Sequence, residues 1–279
     1  MKIGKTTRLK AKEKTDSGFY LTDDTGDEVL LPGSYCPESL RPGDEIDVFV
    51  YKDSSDRPVA VTSKPLAEAG EFAWMQVSEV NRFGAFVDWG LPKELLVPFA
   101  EQHQKLTAGN SYLIYVKLDN VTDRLVGSAK LNKYFDDDPS GLKEGQEVEL
   151  LFYQKTELGF KALVNGKYNG LLFSSDAHRQ IRLGESYRGF VKTVRTDGKL
   201  DVMLEPCGYE NSIDDHVARL LAAIKKANGF LPLHDKSDAA EIKAELGLSK
   251  KAFKKAVGKL LKQGVIEKSD QGISLSKMA

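Results

Sequence analysis

Two aromatic residues flank a glycine in the run Arg82-Phe83-Gly84-Ala85-Phe86-Val87. Flat rings beside a cation suit single-stranded nucleic acid, because bases stack on the rings while phosphates pair with the charge. If Ala85 and Val87 point into a core, strand alternation turns Phe86 outward. Phe83 sits beside it, just before the bend, with Arg82 adjoining. Trp89 follows on the same stretch, and its side is left open. Matching segments occur twice more. In the first, Tyr20 holds the outward position, preceded by Lys12 and Lys14. In the third it is Lys161, with Tyr153, Lys155 and Phe173 nearby. Phe19 and Phe160, at the alternate position, are expected in the cores.

A second set of charges lies near the C-terminus. Lys251, Lys255, Lys259 and Lys262 recur at helical spacing, opposite Phe253, Val257 and Leu260. Such a stripe suits phosphate contacts in a groove, and it serves equally as a solvated face. No Arg, Asn or Gln lies inside it to bond base edges bidentately. Contact with the nucleic-acid backbone is therefore expected over sequence-specific reading of DNA.

Signals for catalysis are poor. Gly4-Lys5-Thr6 mimics the tail of a phosphate-binding loop, but no glycine stands five residues upstream. Between Gly159 and Gly166-Lys167 lie six residues where that loop has four, and Tyr168 follows where Ser or Thr belongs. His103, His178, His216 and His234 are scattered. Cys36 and Cys207 form no CxxC pair, which excludes a disulfide scaffold and a cysteine-built zinc site. Asp136-Asp137-Asp138, followed by Pro139-Ser140-Gly141, reads as a solvated linker. The expectation is a protein without catalysis, cofactor or metal.

The elements that position these residues follow from a repeat. Gly18 and Gly43, Gly84 and Gly109, and Gly159 and Gly184 are each 25 apart. Each first glycine sits between strand-like runs, and alternation resumes after each second one, in Asp44–Tyr51, Asn110–Lys117 and Glu185–Lys192. A turn with a basic residue follows, at Arg57, Arg124 and Lys199. Period-two alternation with turn residues at short intervals gives about five strands per unit. Five strands in so small a unit close on themselves to hide their edges, as in an OB-type barrel. The first glycine marks the strand bend that closure requires.

Beyond the third unit the pattern changes. Val217, Leu220, Leu221 and Ile224 trace an amphipathic helix. Asp238, with Glu241 as capping-box partner, starts a second helix. A third carries Phe253, Val257, Leu260 and Leu261, and a hairpin closes the segment. Three helices and a hairpin make a winged helix-turn-helix. The fold class is thus multidomain and mainly β, with a C-terminal α+β domain. Barrels are expected over residues 1–64, 67–134 and 142–206, and the winged helix over 212–279.

The net charge of −1 over 279 residues hides an asymmetry. Residues 212–279 hold 13 Lys+Arg and 8 Asp+Glu, whereas residues 1–211 hold 27 and 33. A uniformly basic coat is excluded, and a local basic patch is not. The opening Met1–Arg8 is charged with no apolar signal region, and no run approaches the ~20 apolar residues of a membrane span. A soluble, cytoplasmic protein with no membrane partner is expected.

Met75–Gly90, followed by Glu94–Pro98, resembles the RNA-binding OB domain of ribosomal protein S-one. That family shows Phe-Gly-x-Phe-Val and then Gly-Leu-Val-His. The resemblance implies that Phe83 and Phe86 line an RNA face. The histidine position falls on Pro98 here, on Phe173 in the third unit and on Pro32 in the first, which departs furthest. Three such barrels and a winged helix resemble the bacterial conserved virulence factor B family over nearly the whole chain. This implies a cytoplasmic single-stranded RNA binder that regulates other genes, virulence factors included, after transcription. Two alternatives stand beside it: a DNA-binding regulator led by the winged helix, and an adaptor for the ribosome or RNA-decay proteins.

Overall fold

A computed structural model of the chain describes residues 1–53, 55–177, 179–205, 213–269 and 271–276, with the backbone alone for 213–215. The stretch Pro206-Cys207-Gly208-Tyr209, where the sequence changes character, lies outside the described residues, as does His178. The chain divides into two units, Met1–Leu204 and Glu205–Ala279. Among the described residues, no helix is long and apolar enough to cross a membrane.

The first unit holds three five-stranded barrels. Barrel one comprises β1 (Thr6–Thr15), β2 (Gly18–Thr22), β3 (Glu28–Pro32), β4 (Glu45–Lys52) and β5 (Pro58–Val61). Barrel two comprises β6 (Phe72–Asn81), β7 (Gly84–Asp88), β8 (Leu95–Pro98), β9 (Ser111–Leu118) and β10 (Leu125–Ser128). Barrel three comprises β11 (Glu147–Lys155), β12 (Gly159–Val164), β13 (Tyr168–Phe173), β14 (Ser186–Val194) and β15 (Leu200–Met203). A single 3-10 turn follows the third strand of each, at Gly33–Tyr35, Phe99–Glu101 and Ser174–Asp176.

The repeated glycines have a steric cause. Gly18, Gly84 and Gly159 hold φ of +138°, +153° and +152°. They face Pro32, Pro98 and Phe173 across the sheet. A Cβ on Gly84 would lie 2.3 Å from the Val97 carbonyl oxygen, and the other two positions are as tight. Gly84→Ala is therefore expected to destabilise the fold by about 2–4 kcal/mol, read as a lower urea midpoint. The second glycines, Gly43, Gly109 and Gly184, donate their N–H to the carbonyls of Ala11, Val77 and Phe152. In each first strand the register slips at that residue, leaving Lys12, Ser78 and Tyr153 as the extra residue of a bulge. A third glycine completes the repeat 14 residues before the first, at Gly4, Gly70 and Gly145. Their N–H groups bond the carbonyls of Val50, Val116 and Val191.

Barrels one and three are closed by a parallel pairing of third and fifth strands, through Leu30 with Val59 and Gly170 with Leu200. Barrel two departs from the expected closure: its sheet runs β10-β9-β6-β7-β8, and no ladder joins β8 to β10 among the described residues. The loop 89–94 leads into β8, and in it the Trp89 indole N–H bonds the Lys93 carbonyl.

That loop also fuses barrels one and two. Leu9, Leu21, Val48 and Val50 fill the interior of barrel one. Phe49 and Tyr51, on the other face of β4, belong to the core of barrel two. Trp89 packs edge-on to both, with ring centroids 5.7 Å from Phe49 and 6.3 Å from Tyr51. The first linker is likewise docked: the Leu66 N–H donates to the Trp89 carbonyl and the Ala69 N–H to that of Gly4. The chain leaving barrel two packs its rings back on that barrel, Tyr134 on Tyr115 at 4.0 Å and Phe135 on Phe72 at 5.1 Å, and Phe135 also approaches Tyr153 of barrel three at 6.2 Å. The acidic linker Asp136–Asp138 is exposed to solvent, as expected, and its backbone is docked. Asp136 donates its N–H to the Lys167 carbonyl, and Gly198 lies against the Asp137 backbone.

The second unit is the expected winged helix: α1 (Ile213–Lys226), β16 (Phe230–Leu231), α2 (Ala239–Leu246), α3 (Lys250–Lys262), β17 (Ile266–Ser269) and β18 (Gly272–Leu275). The short β16 adds a third strand to the wing, in the order β16-β18-β17. Leu220, Ile224, Ile242, Phe253, Val257 and Leu260 form one core. The anticipated capping box is not made, since Asp238 makes no side-chain cap bond. Ser249 does cap α3, its hydroxyl oxygen accepting from the Ala252 N–H.

Candidate nucleic-acid interface

The glycine bend at Gly84 splits the aromatic pair from the core. Ala85 and Val87 are fully buried, Phe86 is half-buried and Phe83 is 57% exposed. The Arg82 guanidinium lies 4.7 Å from the Phe83 ring centroid. Trp89 is 2% exposed, so it is a core residue whose edge contributes to the groove floor.

Phe83 and Phe86 line a groove of about 300 Å³ that opens where β8 and β10 fail to pair, between Leu95-Leu96 and Leu125-Val126. Three cations surround it: Lys52 from barrel one, Lys93 from the loop before β8, and Arg124 from the β9–β10 loop. The Lys93 ammonium donates to the Lys52 carbonyl at 3.0 Å. Burial holds its pKa below the ordinary lysine value, with the Arg124 charge adding to the effect. Arg124 is paired with Asp56 of barrel one, which raises the guanidinium pKa and lowers that of the carboxyl. Rings for stacking, apolar walls and converging cations are the parts a single-strand site combines.

Barrel three repeats the groove with different chemistry. Leu158 takes the place of Phe83 and is 65% exposed, and Lys161 takes the place of Phe86. Arg195 and Lys199 supply charge from the equivalent loop. Lys161 donates to the Gln154 amide oxygen at 3.0 Å.

The other sequence candidates are not gathered into these grooves. Tyr153 is the bulge residue of β11; it is half-buried, its hydroxyl bonds Asn169 and its ring lies 6.2 Å from Phe135. Burial pushes its phenol pKa up. Lys155 lies 5.9 Å from the Phe160 ring, and Phe160 is half-buried, unlike the buried Phe19. Phe173 is covered by Lys192, itself paired with Asp176. In barrel one Tyr20 faces Glu13 across the sheet, Lys12 pairs with Glu28, and Lys14 is exposed. On α3, Lys251, Lys255 and Lys262 are exposed, and Lys259 is half-buried.

The groove cations Lys52 and Lys93 were not legible as site residues. One belongs to another barrel and the other to a loop outside the repeat. The signal for the first was Val48–Tyr51, a run apolar on both faces, which marks a strand buried on both sides.

Fold and groove together define a chain of tandem S1-type barrels ending in a winged helix. Residues 3–63 match the S1 domain model, and residues 218–275 match the CvfB-like winged helix domain. The S1 match falls on barrel one, the copy whose aromatic pattern departs furthest. Conserved virulence factor B of Staphylococcus epidermidis is 27% identical over 99% of this chain and 95% of its own, and that of Staphylococcus aureus 25% over 99% and 94%. A Bacillus subtilis protein, uncharacterized YitL, is 29% identical over 95% of this chain and 91% of its own. A Streptococcus pneumoniae crystal structure, described as a multidomain protein with nucleic acid binding domains, is 25% identical over 98% of both chains with a TM-score of 0.44. Over nearly its whole length the chain is thus similar to proteins named conserved virulence factor B, and it carries an S1 domain and a CvfB-like winged helix domain.

Proposed function

We propose that this protein is a non-catalytic binder of single-stranded RNA that acts in the cytoplasm as a post-transcriptional regulator. The barrel-two groove carries the reading, with two accessible rings and three cations around one apolar cleft. Barrel three offers a second, ring-free groove of the same position. The winged helix adds phosphate contacts through Lys251, Lys255 and Lys262. Tandem modules gain affinity through effective concentration, so weak grooves suffice.

The test is fluorescence anisotropy with single-stranded RNA, single-stranded DNA and duplex DNA of equal length, at two salt concentrations. Preference for single-stranded RNA that partly survives high salt is expected, because stacking is insensitive to counterions whereas phosphate contacts are not. Duplex preference that persists without residues 1–211 would transfer the function to the winged helix.

A further inference from the structure

The β4–β5, β9–β10 and β14–β15 loops each end in a basic residue. The carbonyls of Arg57, Arg124 and Lys199 are equivalent, accepting from the N–H of Asp53, Asp119 and Arg195. Two of the three side chains are neutralised inside their own loop, Arg57 by Asp53 at 2.8 Å and Lys199 by Asp197 at 3.0 Å. Barrel two breaks the pattern. Asp119 is occupied by Thr122, whose hydroxyl donates to it at 2.7 Å. Arg124 instead reaches out of its barrel and forms a two-pronged pair with Asp56, with Nη2 to Oδ2 at 2.7 Å. Asp56 sits in the barrel-one loop with φ +63°, a left-handed conformation uncommon outside glycine. The two side chains are 42% and 55% exposed.

We propose that Asp56 is an internal stand-in for a phosphate. In the free protein its carboxylate holds the Arg124 guanidinium beside the groove; in the complex a phosphodiester of the bound strand takes that place. The inference rests on the groove being a single-stranded RNA site, and it adds an element that regulates affinity. A carboxylate and a phosphate offer a guanidinium the same two-oxygen edge. An exposed pair of this kind holds weakly, so a polyanion that releases counterions as it binds can displace it. The exchange leaves Asp56 in water, with no charge stranded in a core. Because Asp56 belongs to barrel one, that barrel sets the affinity of a groove whose accessible rings, Phe83 and Phe86, lie on barrel two.

The experiment measures binding of labelled oligouridylate to four full-length proteins: wild type, Asp56→Asn, Arg124→Gln and the double variant. Asp56→Asn is expected to bind about two- to fivefold more tightly, within what an exposed ion pair can contribute. Its salt slope should stay close to that of the wild type, since Arg124 meets one phosphate in both complexes. The gain should vanish when Arg124 is already Gln. Unchanged or weaker binding by Asp56→Asn, or a gain that persists without Arg124, overturns the proposal and leaves the RNA site standing. Phe83→Ala/Phe86→Ala is measured alongside. If it binds RNA as wild type does, the groove is not the site, and both readings fall together.

Discussion

Replacing Phe83 and Phe86 together by alanine is expected to weaken single-stranded RNA binding about tenfold or more, since each stacked base contributes about 1–3 kcal/mol. Both rings border the groove, yet neither belongs to the fully buried core. Phe83 is mostly exposed, so its loss costs the fold little. Phe86 is half-buried, and its removal takes some packing from β7. Phe86→Leu separates the two effects, because it keeps apolar volume and loses the flat face. It should melt close to the wild-type temperature and still bind more weakly. Anisotropy titration with a matched thermal melt reads both quantities. Unchanged affinity in a folded double variant would remove the groove from the RNA path.

The second large effect concerns stability. Trp89→Ala is expected to cost about 3–5 kcal/mol, the range for removing a large buried aromatic. The ring is 2% exposed and wedged between Phe49, Tyr51 and the core of barrel two. Because Phe49 and Tyr51 stand on β4 of barrel one, the loss should reach both barrels. Hydrogen exchange provides the readout: β4 and β9 amides should lose protection together in the variant, as one cooperative unit. Protection retained in β4 and lost in β9 would show that the two cores are independent.

Much of this architecture is legible in the sequence, for a reason tied to backbone geometry. Gly18, Gly84 and Gly159 approach an opposing carbonyl so closely that no side chain fits, so the repeat persists where the surrounding residues have diverged. Alternation around Gly84 likewise assigns Phe86 outward and Ala85 inward. Bulges limit that reading. One extra residue at Lys12, Ser78 and Tyr153 shifts the register, and Tyr153 is accordingly packed under Phe135 where parity places it on a binding face. Contacts between barrels are the other limit. Lys52 and Asp56 lie far from the aromatic motif in sequence, and only the fusion of two cores brings them to the groove. The absent Asp238 cap marks a smaller limit, since a capping residue in the right position does not guarantee that its side chain turns toward the helix.

The unpaired seam between β8 and β10 has a consequence for what the groove can tell apart. In the two sealed barrels, spreading the third and fifth strands would break main-chain bonds. In barrel two it disturbs mainly side chains, chiefly leucine and valine, with, among the described residues, a single main-chain bond at the end of the seam, from the Ala129 N–H to the Glu101 carbonyl. Such a cleft has an elastic width. If the proposed strand binds there, a purine and a pyrimidine would fit at similar cost, and discrimination among transcripts would fall to the number and spacing of contacts along the strand.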